Sequence, residues 1–211
     1  WRWMLYDTES GYANWGISEA YDMIYHTMTD TGSDWPNGPL STLLFRSLLD
    51  SDEFLHLFVN RYAEALSTRF RAVETVAQFE DYLSVVTAEI PFHQARWGYS
   101  MSTHESEVGT VRSFLENRDS YLWNHLRTNL SIGTPMPFDV QIEPPEYGDV
   151  QLTGMVVEDT YSGIYFSDVP VTLTALPIDG AVFVGWSDMT LGDATTVTVY
   201  PDVVTNLRAF F

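Results

Sequence analysis

The chain reads as an α+β protein: a mostly helical segment followed by a small antiparallel β domain. Three observations predict this. Between residue 40 and about residue 130, apolar residues recur at three- and four-residue steps, the period of one helix face. From Phe138 onward they alternate singly with polar residues, the period of a strand. Between the two, Ser131-Ile-Gly-Thr-Pro-Met-Pro137 gathers glycine and prolines, which is linker chemistry. The expected domains are therefore 1–133 and 138–211.

At the start, Trp1, Trp3 and Leu5 alternate with Arg2 and Met4, which predicts a strand with one buried face. That strand delivers Asp7 and Glu9, two carboxylates one residue apart, at its end. No Met precedes Trp1, and a strand at a terminus needs neighbours. The chain is therefore expected to be the C-terminal part of a larger protein. Asp30-Thr-Gly-Ser-Asp-Trp-Pro-Asn-Gly-Pro39 is dense in breakers and predicts a loop.

Ser51-Asp-Glu opens a helix whose apolar face carries Phe54, Leu57, Phe58, Ala65 and Leu66. Val76, Phe79, Leu83, Val86 and Ile90 predict a second helix, with Pro91 ending or kinking it. Ser102-Thr-His-Glu105 fits a capping box for a helix bearing Val108, Val111 and Leu115. Leu122, His125 and Leu126 predict a last helix, ending before Gly133.

The strands follow as Phe138, Val140 and Ile142, then Val169, Val171, Leu173 and Ala175, then Val197 and Val199, then Leu207, Ala209 and Phe211. Within Val182-Phe-Val-Gly-Trp186, simple alternation puts Val182, Val184 and Trp186 on one face and Phe183 on the other. Trp186 is expected to anchor the core of this module.

Composition bounds the function. Hydrophobic residues make up 45% and aromatics 15% of 211 residues, ample for packed cores. The formal charge is −19, and all 10 basic residues are Arg; the chain has no Lys. Such a surface repels nucleic acid, whose phosphates need cations, and anionic membranes equally. It suits an acidic, self-repelling or extracellular protein. No Cys is present, so disulfides and thiolate metal sites are excluded. No apolar run approaches the ~18 residues of a membrane span.

Few residues carry chemistry by spacing alone. Asp7 and Glu9 supply the oxygen ligands that a hard cation needs, but acidic residues at strand ends are most often solvated turn formers. Glu89 and His93 have metal-binding spacing, interrupted by Pro91 and without a third ligand. His93 with Arg96 reads better as a buried or capping histidine. Asn60-Arg61 reads as structural, with Arg61 pairing a carboxylate. Asp50-Ser-Asp-Glu53 reads as an acidic helix start favoured by the macrodipole. No G-x-S-x-G elbow and no Gly-rich phosphate loop occur.

Four segments, in order, carry a resemblance. Trp1-Arg-Trp-Met-Leu-Tyr-Asp-Thr-Glu9 is similar to the "W-R-W-I-L-x-D-x-D" motif of the spore-coat CotH kinase family. Phe58-Val-Asn-Arg-Tyr-Ala-Glu-Ala-Leu-Ser-Thr-Arg-Phe70 resembles its "F-x-N-R-Y/F-A-D-x-L-N-T-x-F" helix. Glu89-Ile-Pro-Phe-His-Gln-Ala-Arg-Trp97 and Val111-Arg-Ser-Phe-Leu-Glu-Asn-Arg118 resemble the "E-x-x-x-H-x-x-R-W" and "L-x-x-F-x-x-x-R" segments that follow.

The resemblance implies a kinase C-lobe-like fold over residues 1 to about 130. It implies a secreted or coat-associated bacterial protein kinase that uses ATP and Mg2+ or Mn2+ to phosphorylate Ser in proteins. It also implies that Asp7 binds the metal. Glu9 stands where a second Asp is usual, keeping the charge on a longer arm. The family's nucleotide-gripping basic residues and catalytic Asp stand before the first motif, so no catalytic or nucleotide-binding residue is expected among these 211, and neither ATP nor metal is expected to bind them tightly.

The C-terminal module has its own resemblance. Gly163 through Trp186, containing Val171-Thr-Leu-Thr-Ala-Leu-Pro177 and ending in Leu207-Arg-Ala-Phe-Phe211, looks like the bacterial surface repeat called the divergent internalin B-repeat. That implies a β-grasp-like module that extends proteins on cell surfaces. Two functions follow as expectations: a surface CotH-like kinase, inactive in this portion alone, or a non-enzymatic surface or filament protein on the same scaffold. The expected partners are protein substrates, surface partners or further copies of the chain.

Overall fold

In the computed structural model, which describes residues 11–29 and 38–211 (Trp15 for its backbone only), the change of period near residue 135 is a change from helix to strand. The chain is α+β. Its described helices are α1 Met23–Met28, α2 Leu43–Leu48, α3 Asp52–Ser67, α4 Ala72–Val86, α5 Ile90–Trp97 and α6 Met101–Leu130.

Local chemistry sets their limits. The Ser51 hydroxyl accepts the Phe54 N–H at 3.5 Å, and Asp52 and Glu53 sit in the first turn of α3, where the helix dipole favours acids. The Thr87 hydroxyl donates to the Leu83 carbonyl at 2.7 Å as α4 ends. Pro91 neither ends nor kinks that helix. It lies in the first turn of α5, where its missing N–H costs nothing. Gly98, at φ 74°, closes α5 in a left-handed conformation.

The two helices expected after residue 100 are one helix of 30 residues. The polar stretch between the two apolar stripes is compatible with helix: Asn117 Nδ2 and Ser120 Oγ each donate to a carbonyl of the preceding turn, both at 2.7 Å. The start also differs. Ser100, not Ser102, caps α6, its hydroxyl accepting the Thr103 N–H at 3.1 Å.

The described residues fall into two compact units. One joins Arg69–Leu122 to the described part of Trp1–Asp22; the other joins Met23–Thr68 to Trp123–Phe211. In the first, α4 meets α6 through the Ala72 N–H on Asp119 Oδ2 at 3.1 Å and Arg112 Nε on Glu80 Oε1 at 2.6 Å. Arg118 of α6 donates to the carbonyls of Tyr21, at 2.7 Å, and Glu19.

The second unit holds eight described strands: β1 Pro135–Glu143, β2 Gly148–Gln151, β3 Val156–Val157, β4 Thr160–Phe166, β5 Val171–Pro177, β6 Gly185–Trp186, β7 Thr196–Val199 and β8 Asn206–Phe210. They form two four-stranded sheets, ordered β4-β1-β8-β6 and β3-β2-β5-β7. All pairings are antiparallel except β1 with β8, which run parallel, a departure from the all-antiparallel expectation. One apolar core serves both sheets, with Phe138, Val140, Val150, Leu173 and Leu207 fully buried.

The expected linker is part of this unit. The Gly133 N–H donates to Asp168 Oδ1 at 2.5 Å, the Thr134 N–H to Ser167 Oγ at 3.1 Å, and strand begins at Pro135. The prolines are tolerated because pairing with β8 starts only at Asp139. Pro135 and Pro137 thus lie where the flank of β1 that faces away from β4 has no strand to receive an N–H.

The reading of residues 182–186 is corrected. Val182 and Val184 are 74% and 68% exposed, while Phe183 and Trp186 are both buried. Strand begins only at Gly185, whose φ of 151° resets the alternation, so Phe183 and Trp186 point inward together.

Candidate functional site

Helix α3 lies against the β sheets along one face. Val59, Ala63 and Leu66 on that face are buried, and Ala63 joins the core of the β module. Among them runs a polar stripe at steps of four and three: Asn60, Glu64 and Ser67, all buried. Each has a partner on the β side. Asn60 Nδ2 donates to the Pro170 carbonyl at 2.8 Å. Ser67 Oγ accepts the Ile164 N–H at 2.9 Å.

Glu64 is the centre of the stripe. Its Oε1 accepts from the Tyr165 hydroxyl at 2.8 Å and from the Thr153 N–H at 3.0 Å; its Oε2 accepts from the Gly154 N–H at 2.6 Å. Burial raises the Glu64 carboxyl from its ordinary value, against the pull of these three donors and the charge of Arg61. Burial also lifts Tyr165 well above its ordinary value and Tyr161 to about 12. Both phenols therefore stay neutral at any physiological pH, and Tyr165 meets the ionised Glu64 carboxylate as a hydrogen-bond donor. Asn60 Oδ1 is buried without a hydrogen-bond partner.

This arrangement clamps rather than reacts. Glu64 faces protein donors from β4 and from the β2–β3 turn. A cleft of about 390 Å³ in the same unit is lined by Met28, Arg46, Asp50, Leu55 and Asn129 among others. Its one cation, Arg46, is spent on the Pro39 carbonyl at 2.7 Å and Thr42 Oγ1 at 3.2 Å. Among the described residues no group of three His, Asp or Glu stands close enough to hold a metal ion.

A family model described as CotH kinase protein matches residues 1–122. The chain belongs to the CotH kinase family. No curated protein and no solved structure matches it. The match to the CotH family takes in α1 through α5 and most of α6, including the Asn60–Glu64–Ser67 stripe, while every residue that the stripe touches on the β side lies beyond it.

The CotH resemblance implied a metal at Asp7, with Glu9 beside it; both lie outside the described residues. The described residues do not by themselves fit a nucleotide and its metal, since they include neither a Lys nor a carboxylate cluster. His93, expected to be a buried or capping residue, is exposed, its ring 6.4 Å from that of Trp97. Arg96 lies over the same indole at 5.6 Å. Glu89 is exposed too and meets His93 through the backbone alone, the His93 N–H donating to the Glu89 carbonyl at 3.0 Å.

Asn60 is structural, as read from sequence. Arg61 acts on a carboxylate, that of Glu64, by charge. Sequence analysis does not single out Glu64. The signal was present: three polar residues at i, i+4 and i+7 on a face otherwise carrying Val59, Ala63 and Leu66. No helix among the described residues is long and apolar enough to cross a membrane.

Proposed function

We propose that these residues belong to a CotH-like protein kinase working outside the cell or at its surface, and that they do not transfer phosphate by themselves. The family match over residues 1–122 supports the first part. The observation that carries the second is the complete absence of Lys, together with the lack of a Gly-rich phosphate loop. The whole kinase would use ATP with Mg2+ or Mn2+, Asp7 and Glu9 contributing to the metal, and would act on Ser in protein substrates. The β module, by its resemblance to a surface repeat, would extend the protein at the cell surface. The charge of −19 suits that setting.

The test is incubation of the chain with radiolabelled ATP, Mg2+ or Mn2+ and a protein acceptor. No incorporation above a heat-killed control is expected. Metal-dependent labelling lost in Asp7→Ala would show that the chain holds a working site.

A second reading, a non-enzymatic surface or filament protein, draws on the aromatic side chains around α5. Tyr82, Phe92, Trp97 and Tyr99 are 66%, 71%, 61% and 64% exposed. Exposed aromatics of this size favour self-association. Sedimentation across a concentration series separates the readings: a chain that remains monomeric throughout removes the filament alternative.

A further inference from the structure

The turn between β2 and β3 is built to receive a carboxylate. Thr153 and Gly154 present consecutive N–H groups, and Glu64 takes them with separate oxygens at 3.0 and 2.6 Å. Such a fork is charge-assisted and direction-specific. The Tyr165 hydroxyl supplies a third donor at 2.8 Å from the opposite sheet. Space is matched as closely as charge, since a Cβ at Gly154 would lie 2.8 Å from Glu64 Oε2.

The base of the turn is closed by the Leu152 N–H on the Met155 carbonyl at 2.9 Å and anchored by Leu152 in the core, whereas the N–H groups at its tip, Thr153 and Gly154, bond to Glu64. Strand β3 is two residues long, lies at a sheet edge and pairs only through Val150–Val157 and Gln151–Val156. The core strands β1, β5 and β8 run nine, seven and five residues and each buries alternate residues. Opening of the Thr153–Gly154 tip therefore need not open the core, the condition for a local and separate transition.

We propose that the β module carries a receptor for a helix-borne carboxylate, formed by the Thr153 and Gly154 N–H groups and the Tyr165 hydroxyl, and that Glu64 of α3 occupies it as a latch. The latch couples the CotH-matched segment to the module that follows it. Asn60 on Pro170 and Ser67 on Ile164 align the helix at either side, and Glu64 closes it. The partner this receptor fits is an acidic helix presenting one Glu between small residues; here Ala63 and Ala65 flank it. This inference stands apart from the kinase reading.

Hydrogen exchange on the full chain tests it, with Glu64→Gln, Gly154→Ala and Tyr165→Phe. Glu64→Gln places an amide N–H₂ against an N–H donor. Gly154→Ala pushes the carboxylate out from the other side, at a position whose backbone is not left-handed. Tyr165→Phe keeps the ring and removes one donor. Each should speed exchange of the Thr153 and Gly154 amides by about tenfold, as expected for one lost charge-assisted hydrogen bond. The amides of Val140, Leu173 and Leu207 should be unchanged. Unaltered exchange at Thr153 and Gly154 in all three would overturn the latch. So would a parallel rise in the core amides, which would make Glu64 an ordinary part of the core. If Glu64→Gln fails to fold, the other two variants decide the matter.

Discussion

Trp186 donates its indole N–H to the Ala194 carbonyl at 2.8 Å, while its ring meets Phe183 edge-on at 5.1 Å. The bond ties β6 to the approach of β7, and the ring fills the core that both sheets share. Truncation by Trp186→Ala should cost ~3–5 kcal/mol, the usual penalty for a buried aromatic. Trp186→Phe keeps most of the volume and loses the hydrogen bond, at about 1 kcal/mol. Changes at exposed Thr195 should be nearly silent. Urea unfolding of the three variants gives the ranking. A Trp186→Ala chain that unfolds like the parent but fails to bind a surface glycan or partner would make this tryptophan a recognition residue.

Gly148 should not tolerate a side chain. Its backbone is extended, so the obstacle is space: an added Cβ would fall on the ring of Phe211, which itself packs edge-on against Phe183 at 5.5 Å. Gly148→Ala should lower stability by about 1–3 kcal/mol through overpacking. It should also alter the near-ultraviolet circular dichroism of the aromatic cluster. A midpoint unchanged from the parent would mean that Phe211 moves aside freely.

Glu64 sets a pH dependence with a definite sign. Its folded pKa is raised, chiefly by burial, so the folded chain holds the proton more tightly than the unfolded one. The contribution is fully present below the unfolded value and is lost as pH rises through the raised folded value. The phenols facing Glu64 do not reverse this, because Tyr161 and Tyr165 stay neutral across that window. The parent should therefore gain melting temperature relative to Glu64→Gln as pH falls from 7 towards 5. A flat difference would show that the donors cancel the burial.

The Glu80–Arg112 pair should behave in the opposite sense and weakly. The hydrogen bond from Arg112 lowers the Glu80 pKa, so its contribution is present above the unfolded value and lost as pH falls through the folded one. Both side chains are partly exposed to solvent, where such pairs contribute little and are screened by salt. Glu80→Gln should shift the melting temperature measurably only at low ionic strength. A large shift that persists in 1 M salt would mark a role that the geometry does not reveal.

Residues 138–211 expressed alone should fold cooperatively, yet melt below the intact chain. They retain almost all of the shared core but lose Ala63 and the Glu64 and Asn60 hydrogen bonds, along with Pro135–Pro137 of β1. Thermal melts followed by circular dichroism compare the two. A random-coil spectrum would mean that the module cannot form without α3.

The fold class, the order of helices before strands, the Ser51 cap and nearly every core residue of β1, β5, β7 and β8 are legible in the amino-acid sequence alone. These features are local: a period of two or 3.6 and a capping hydroxyl are read within a few residues. The sequence also carries the family, because four motifs in order are a property of the chain and not of its packing. Tertiary structure decided the rest. Nothing near Leu207 in sequence says that β8 will run parallel to β1, since register between distant strands is chosen by the core they close. Gly185 turned Phe183 inward through a backbone angle that no alternation rule includes. Glu64 reads on paper as one more solvated acid in a chain of −19; only the approach of Thr153, Gly154 and Tyr165, some ninety to a hundred residues away, makes its carboxylate the point at which helix and sheet are joined.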